Sequence, residues 1–342
     1  MLSGEDTLMD RENEIRLALP SKGILAEATL ELLADVGLHV YKPNPRQYRA
    51  TIPSLPGLTV LFQRPGDIVV SARDGSVDFG ITGWDVVAER QGANGDVLVI
   101  HPGLGFGHCA LNVIVPETWE RVNTIADLPD LSRHLGRSLH VATKFPNLSR
   151  AFFNDHGLPD VDLIFAEGTL EIAPTIGYAD LIVDLVSTGT TLRDNRLKAL
   201  SDGLVLQSQA CLVANVARLT SSSQVLGIAK QLLEFIVAHL RAMENVSIFA
   251  NIRGDSAESI ARRMFTQSVI GGLQGPTLSP VITRQTEKWF ATNLIVRKDQ
   301  LVQAIAELRR VGGSGVVVTP VTYIFEEEPE EITNMLAALE AK

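Results

Sequence analysis

The chain has 342 residues, 45% hydrophobic and 20% charged, which is enough apolar material to fill two or three domain cores rather than one. Its formal charge of −10 argues against a nucleic-acid partner, which needs a basic face and counterion release, and leaves room for a polyanionic small molecule held by local amides and cations. Apolar runs such as residues 181–186 and 316–318 fall far short of the ~20 residues that cross a bilayer, so no membrane partner is expected.

Residues 1–13 mix Glu5, Asp6, Asp10 and Glu12 with few apolar side chains, fit neither a secretory signal nor an Arg-rich transit peptide, and read as a disordered tail. The two cysteines, Cys109 and Cys211, form no CxxC pair or zinc-type cluster and read as buried thiols; a reducing cytoplasm is the expected location. Residues 15–20 read as a strand running into Ser21-Lys22-Gly23, after which Leu25, Leu32, Leu33 and Val36 share a helical face that Gly37 ends. A short helix follows Arg64-Pro65-Gly66-Asp67, and 77–83 reads as a strand with a glycine turn. Strands at 109–116, 140–143 and 181–186 belong to a second α/β unit. A strand-like segment at 210–214 returns the chain to the first unit, and the helix after Ser221-Ser222-Ser223 carries Val225, Ile228, Leu232, Leu233, Ile236 and Leu240 on one stripe.

This alternation predicts an α/β region of two lobes with largely parallel sheets, periplasmic-binding-protein-like, with a ligand cleft between them. The first lobe takes residues 14–105 and 203–243, the second 106–202. Beyond it, strands at 246–252, 277–283, 289–296 and 316–324 and helices at 255–265 and 299–311 give the βαββαβ order of a ferredoxin-like domain, 244–327. By analogy of fold such a domain regulates or assembles. Residues 328–342 read as an acidic tail entering a short helix.

The segment Asp184-Leu185-Val186-Ser187-Thr188-Gly189-Thr190-Thr191-Leu192 follows the apolar strand Leu181-Ile182-Val183, at the strand end where α/β proteins place their sites. A helix opening at 192–198 would leave its first amides without internal partners, Gly189 lets an oxygen approach the backbone, and the hydroxyls of Ser187, Thr188, Thr190 and Thr191 add donors. A phosphate fits that nest. Asp184, set upstream, is placed to accept hydrogen bonds from ribose hydroxyls, so one loop would hold both ends of a ribose 5-phosphate. A simple capped helix turn fits the same residues. Lys22, Arg49, Arg64 and Lys144 are either cations for a substrate or solvated surface charges; Glu171 either orients the ribose or a metal shell or caps a helix, and Asp180 reads as structural.

The run from Glu171-Ile172-Ala173-Pro174-Thr175-Ile176-Gly177 through Ala179 and Asp184 to Thr188-Gly189-Thr190-Thr191-Leu192 resembles the signature of the ATP phosphoribosyltransferases, the first enzymes of histidine biosynthesis. The likeness extends from Arg16 to Phe325 and includes Asp78-Phe79-Gly80-Ile81-Thr82-Gly83, Gly107-His108-Cys109, Ala142-Thr143-Lys144-Phe145-Pro146 and Ala210-Cys211-Leu212. The resemblance implies two catalytic lobes, a histidine-binding regulatory domain of the long form, and dimers that assemble into hexamers. It also implies transfer of 5-phosphoribosyl from phosphoribosyl pyrophosphate (PRPP) to N1 of ATP with release of pyrophosphate, inhibited by histidine. On this reading Asp184 and Glu171 are the candidate catalytic residues, and Asp184 with Ser187, Thr188, Gly189, Thr190 and Thr191 hold PRPP. Lys22, Gly23, Arg49, Arg64 and Lys144 serve ATP or pyrophosphate, and Mg²⁺ is held mainly through substrate oxygens. Members of that family often carry Arg where this chain has Ile24 in Lys22-Gly23-Ile24-Leu25, which leaves Lys22 with Arg49 or Arg64 to compensate. The rival reading is a two-lobed binding protein or regulatory paralogue without turnover.

Overall fold

Strand β1 (Ile15–Pro20) is buried along nearly its whole length and lies inside a six-stranded sheet. The computed structural model describes residues 14–341 apart from Pro45, Gln274 and Gln285, so the expected tail at 1–13 lies outside the described residues. After β1 come α1 (Ile24–Asp35), β2 (Arg49–Thr51), β3 (Leu58–Gln63), α2 (Pro65–Arg73), β4 (Phe79–Gly83), α3 (Trp84–Arg90) and β5 (Val97–His101). The sheet order is β2-β3-β1-β4-β11-β5, where β11 (Ala210–Asn215) arrives from much later in the chain. Strands β1, β3 and β4 are parallel; β2 and β11 run against their neighbours. Helix α2 packs closely on β4 because Gly80 is bare: a Cβ there would lie 2.4 Å from Ile68 Cγ2. Ala18, Ile68, Val69, Val213 and their neighbours form the core, each fully buried aliphatic side chain contributing roughly 1.5–3 kcal/mol.

The second sheet is built from β6 (Cys109–Pro116), α4 (Leu128–Leu135), β7 (His140–Thr143), α5 (Pro146–Asp155), β8 (Asp162–Phe165), β9 (Leu181–Val186), α6 (Thr190–Asp194) and β10 (Leu197–Ser208), in the order β10-β6-β9-β7-β8. Its core gathers Leu111, Val113, Leu139, Val141, Phe153, Leu181 and Val183. Two corrections to the sequence reading arise here. The helix expected over 192–198 is only Thr190–Asp194, because Arg196 at φ 53 turns the chain into β10. Strand β10 then pairs with β6 from Leu197 as far as Ser208, so the second sheet continues past residue 202, where the sequence reading closed its lobe. Two segments cross between the sheets, one before Cys109 and one at Gln209, and they run side by side: the Ala210 amide donates to Phe106 O at 2.9 Å and the Leu104 amide to Ala210 O at 2.9 Å.

Helices α7 (Val216–Ser221) and α8 (Ser223–Met243) follow β11. The described residues divide into two compact units, with boundaries at Lys230, inside α8, and at Asn334. The second unit, Gln231–Thr333, contains β12 (Asn245–Arg253), α9 (Ala257–Phe265), β13 (Thr277–Val281), β14 (Trp289–Arg297), α10 (Leu301–Arg310) and β15 (Gly313–Pro320). All its strand pairs are antiparallel, in the order β13-β14-β12-β15, which is the ferredoxin-like arrangement. The last strand lies a few residues earlier than the 316–324 expected, its pairing with β12 ending at Pro320. Helix α11 (Glu330–Glu340) ends the described chain.

Candidate active site

The strand-exit loop links β9 to the short helix α6. Gly189 adopts φ 71, a left-handed conformation, and nothing lies within 4 Å of where its Cβ would be. Ser187, Thr188, Thr190 and Thr191 are exposed, with the Thr188 and Thr190 hydroxyls 3.2 Å apart. Among the described residues, the amides of Thr188, Gly189 and Thr190 donate to no protein acceptor. Val186 and Ser187 also line a cavity of about 340 Å³ with His108, Cys109, Gln207, Ser208 and Gln209.

Asp184 lies within β9, three residues before Ser187, half-buried, and Asn112 faces it from β6 in the strand register. On the other side β7 and β9 run parallel with Thr143 opposite Val183, so Lys144 emerges next to Asp184; the Thr143 hydroxyl fastens the pair by donating to Val183 O at 2.8 Å. One Asp184 oxygen accepts the Leu185 amide at 2.8 Å. Burial raises the Asp184 carboxyl above the usual range; the Leu185 amide and the Lys144 charge pull it down, and the Glu171 charge pushes it up again. Asp184, Lys144 and Glu171 therefore form one electrostatic group. Glu171 lies in a single 3-10 turn, Leu170–Ile172. Asp180 is held as a brace, taking two bonds from Arg137 at 2.6 and 2.8 Å and the His140 amide at 2.8 Å.

At the matching edge of the first sheet, Lys22 and Gly23 follow β1 and Arg64 follows β3, side by side because Pro20 and Gln63 are in register; all three are exposed. Gly23 has φ 83 with open space around it. Arg49 is different. Its guanidinium pairs with Glu14, the residue before the opposite end of β1, where Arg16 and Thr59 also bond the same carboxylate. In that pairing Arg49 points toward the end of β1 opposite Lys22. Sequence reading missed Gln63, whose Oε1 is buried with no partner among the described residues, and Asn112; only the strand register, invisible in sequence, points to them.

Both cysteines are free. Burial and then the Asp85 charge push the Cys211 thiol up to about 12, and the same causes raise Cys109, so neither is an activated nucleophile. Among the described residues no three His, Cys, Asp or Glu side chains gather closely enough to hold a metal ion alone, and no helix is long and apolar enough to cross a membrane.

Two α/β sheets joined by paired crossings, with an open hydroxyl loop at one strand exit and a ferredoxin-like unit following in the chain, define a two-lobed α/β protein with a small C-terminal domain. Residues 64–238 match the family described as HisG, ATP phosphoribosyltransferase, and residues 242–323 match the HisG C-terminal domain. The chain is 44% identical over 335 residues to ATP phosphoribosyltransferase 2, chloroplastic, of Arabidopsis thaliana, covering 95% of this chain and 81% of that one. It is 45% identical over 207 residues to ATP phosphoribosyltransferase of Brucella suis, 58% of this chain and 89% of the relative. In fold it is similar to the solved ATP phosphoribosyl transferase (HisG:HisZ) complex of Thermotoga maritima, with a TM-score of 0.51 and 24% identity over 65% of this chain and 98% of that chain. The chain belongs to the ATP phosphoribosyltransferase family, in its long form, and is a transferase of the first step of histidine biosynthesis.

Proposed function

We propose that the chain moves 5-phosphoribosyl from PRPP to N1 of ATP at the facing edges of its two sheets. The observation that carries this is the juxtaposition of Asp184, flanked by Lys144, with a loop whose Thr188, Gly189 and Thr190 amides are uncommitted. The loop holds the 5-phosphate through those amides and the hydroxyls of Ser187, Thr188, Thr190 and Thr191. Asp184 accepts from the ribose hydroxyls, and Glu171 steadies the same end. The pyrophosphate side and the ATP phosphates meet Lys144, Lys22, Gly23 and Arg64, with Gln63 offering a buried acceptor. Adenine N1 is itself the attacking atom, so no side-chain nucleophile is required; the protein's part is positioning and electrostatic support of a cation-like ribose and a departing anion.

Mg²⁺ fits this donor set as a cation that takes few protein ligands: Asp184 and Glu171 are the carboxylates at hand, and substrate oxygens supply the rest. When bound, it would neutralise charge on the pyrophosphate oxygens. Histidine inhibition, through the second unit, belongs to the same reading. A cavity of about 730 Å³ there is lined by Arg241, Thr277, Asn293 and Glu326, offering both charge signs that a zwitterionic amino acid needs. Self-association into dimers and hexamers and a cytoplasmic location complete it, although the Arabidopsis relatives are named chloroplastic.

The test is pyrophosphate release. It is expected only when ATP, PRPP and Mg²⁺ are present together; a binding protein would instead show ligand-induced thermal stabilisation with no product.

A further inference from the structure

Helix α3 carries two buried carboxylates, Asp85 and Glu89, 5% and 8% exposed, spaced four apart and therefore on one face. Neither has a part in the chemistry above. Both bond across to the second sheet's half of the unit. The Ser208 hydroxyl, at the end of β10, donates to Asp85 Oδ1 at 2.6 Å and accepts the Asp85 amide at 2.9 Å. Glu89 takes the first free amides of α5: Asn147 N–H donates to Oε1 at 2.9 Å and Leu148 N–H to Oε2 at 3.0 Å, while Asn147 Nδ2 donates to the Glu89 carbonyl at 3.1 Å.

A helix usually satisfies such amides locally, with Ser, Thr, Asp or Asn at its N-cap. The N-cap of α5 is Phe145, which has no acceptor, so the cap comes from the other sheet's helix. Gly83 is bare where Asp85 folds back; a Cβ would stand 2.3 Å from Asp85 Oδ1. Both carboxylates would be stranded without their donors if the halves moved apart, since a buried charge tolerates no loss of its hydrogen bonds. The segment that Glu89 grips begins three residues after Lys144, the cation beside Asp184.

We propose that Asp85 and Glu89 are positioning residues that lock the angle between the two sheets and, through Asn147, fix Lys144 beside Asp184. The geometric part stands alone; the kinetic part rests on the substrate reading above. Glu89→Gln keeps the shape and removes the charge, Ser208→Ala releases the Asp85 arm, and Glu89→Asp is the mild variant for the case where the others do not fold. In the full chain, dipolar distances between labels at Glu31 on α1 and His134 on α4 are expected to broaden or shift in the variants. Ribose 5-phosphate affinity should stay within about twofold, while kcat/KM for ATP falls about tenfold or more, the scale of one charge-assisted hydrogen bond. Glu89→Asp should restore part of it. An unchanged distance distribution in folded variants, even with a lowered melting temperature, would overturn the proposal, since a merely local role leaves the angle alone. Failure of the wild type to bind ribose 5-phosphate would sink the loop reading while the distances still judge the lock.

Discussion

Gly189 can be tested without disturbing its surroundings. Because its Cβ position is open, Gly189→Val meets no protein atom; it adds roughly 1–2 kcal/mol of left-handed backbone strain and places its bulk where the phosphate should lie. The expected result is a KM for PRPP raised by about tenfold or more with the fold retained, read from initial rates and urea denaturation; an unchanged PRPP dependence would remove the cradle. Asp184→Asn should lower kcat/KM by about 1.5–3 kcal/mol, or roughly tenfold to a hundredfold. Its effect on stability has the opposite sign. Burial raises the Asp184 carboxyl, so the folded state keeps this proton to higher pH than the unfolded chain, and stability falls as pH rises through that window. The Asn variant should therefore melt higher than wild type at pH 7, the gap closing below the ordinary carboxylate range. The loop and Asp184 were legible because strand, glycine and hydroxyls are consecutive in sequence. Lys144 next to Asp184 was not, since their adjacency comes from parallel register between strands some forty positions apart.

At the level of elements, two buried carboxylates illustrate how strands and helices are tied. Asp78, 2% exposed, accepts the Arg16 amide at 2.7 Å and Arg218 Nε at 2.6 Å, joining β1 to α7. Replacing it with Ala leaves Arg218 unpaired and should cost about 3–5 kcal/mol in a denaturant titration. Glu307 on α10 is buried, which opposes its charge, yet the Ser268 hydroxyl, the Val269 amide, Gln303 and the Ile270 amide outweigh that and hold it at about 2. Its folded value lies below the unfolded one, so its contribution is present at neutral pH and lost as pH drops from the ordinary glutamate range toward 2. Glu307→Gln should flatten that acid-side loss in a pH series of melting curves. Elements with one strong pattern, β6, β7 and β9, were readable to the residue. Strand β10 was not: the second lobe was expected to end at residue 202, whereas the strand runs on through Asp202-Gly203 with register shifts between Ala199 and Leu206. The helix carrying Asp85 and Glu89 was not foreseen at all, and the neighbour its buried face meets comes from the tertiary packing.

For the whole molecule, the two-sheet plan and the ferredoxin-like order followed from alternation of elements, while the assignment of residues 203–208 needed the observed pairing. If the second unit carries the histidine site, a chain ending at Glu244 should turn over without responding to histidine; inhibition that persists would locate the effector elsewhere. The paired crossings before Cys109 and at Gln209 have a mechanical meaning. Two tethers lying alongside each other resist sliding and stretching but yield to rotation about their shared line, like the knuckles of a door. Gln209 adds to that confinement: its side chain packs directly on Gly103, where a Cβ would lie 2.5 Å from Nε2, and its Oε1 accepts the Gly105 amide at 3.4 Å, so the two crossings are tied to each other as well as to their sheets.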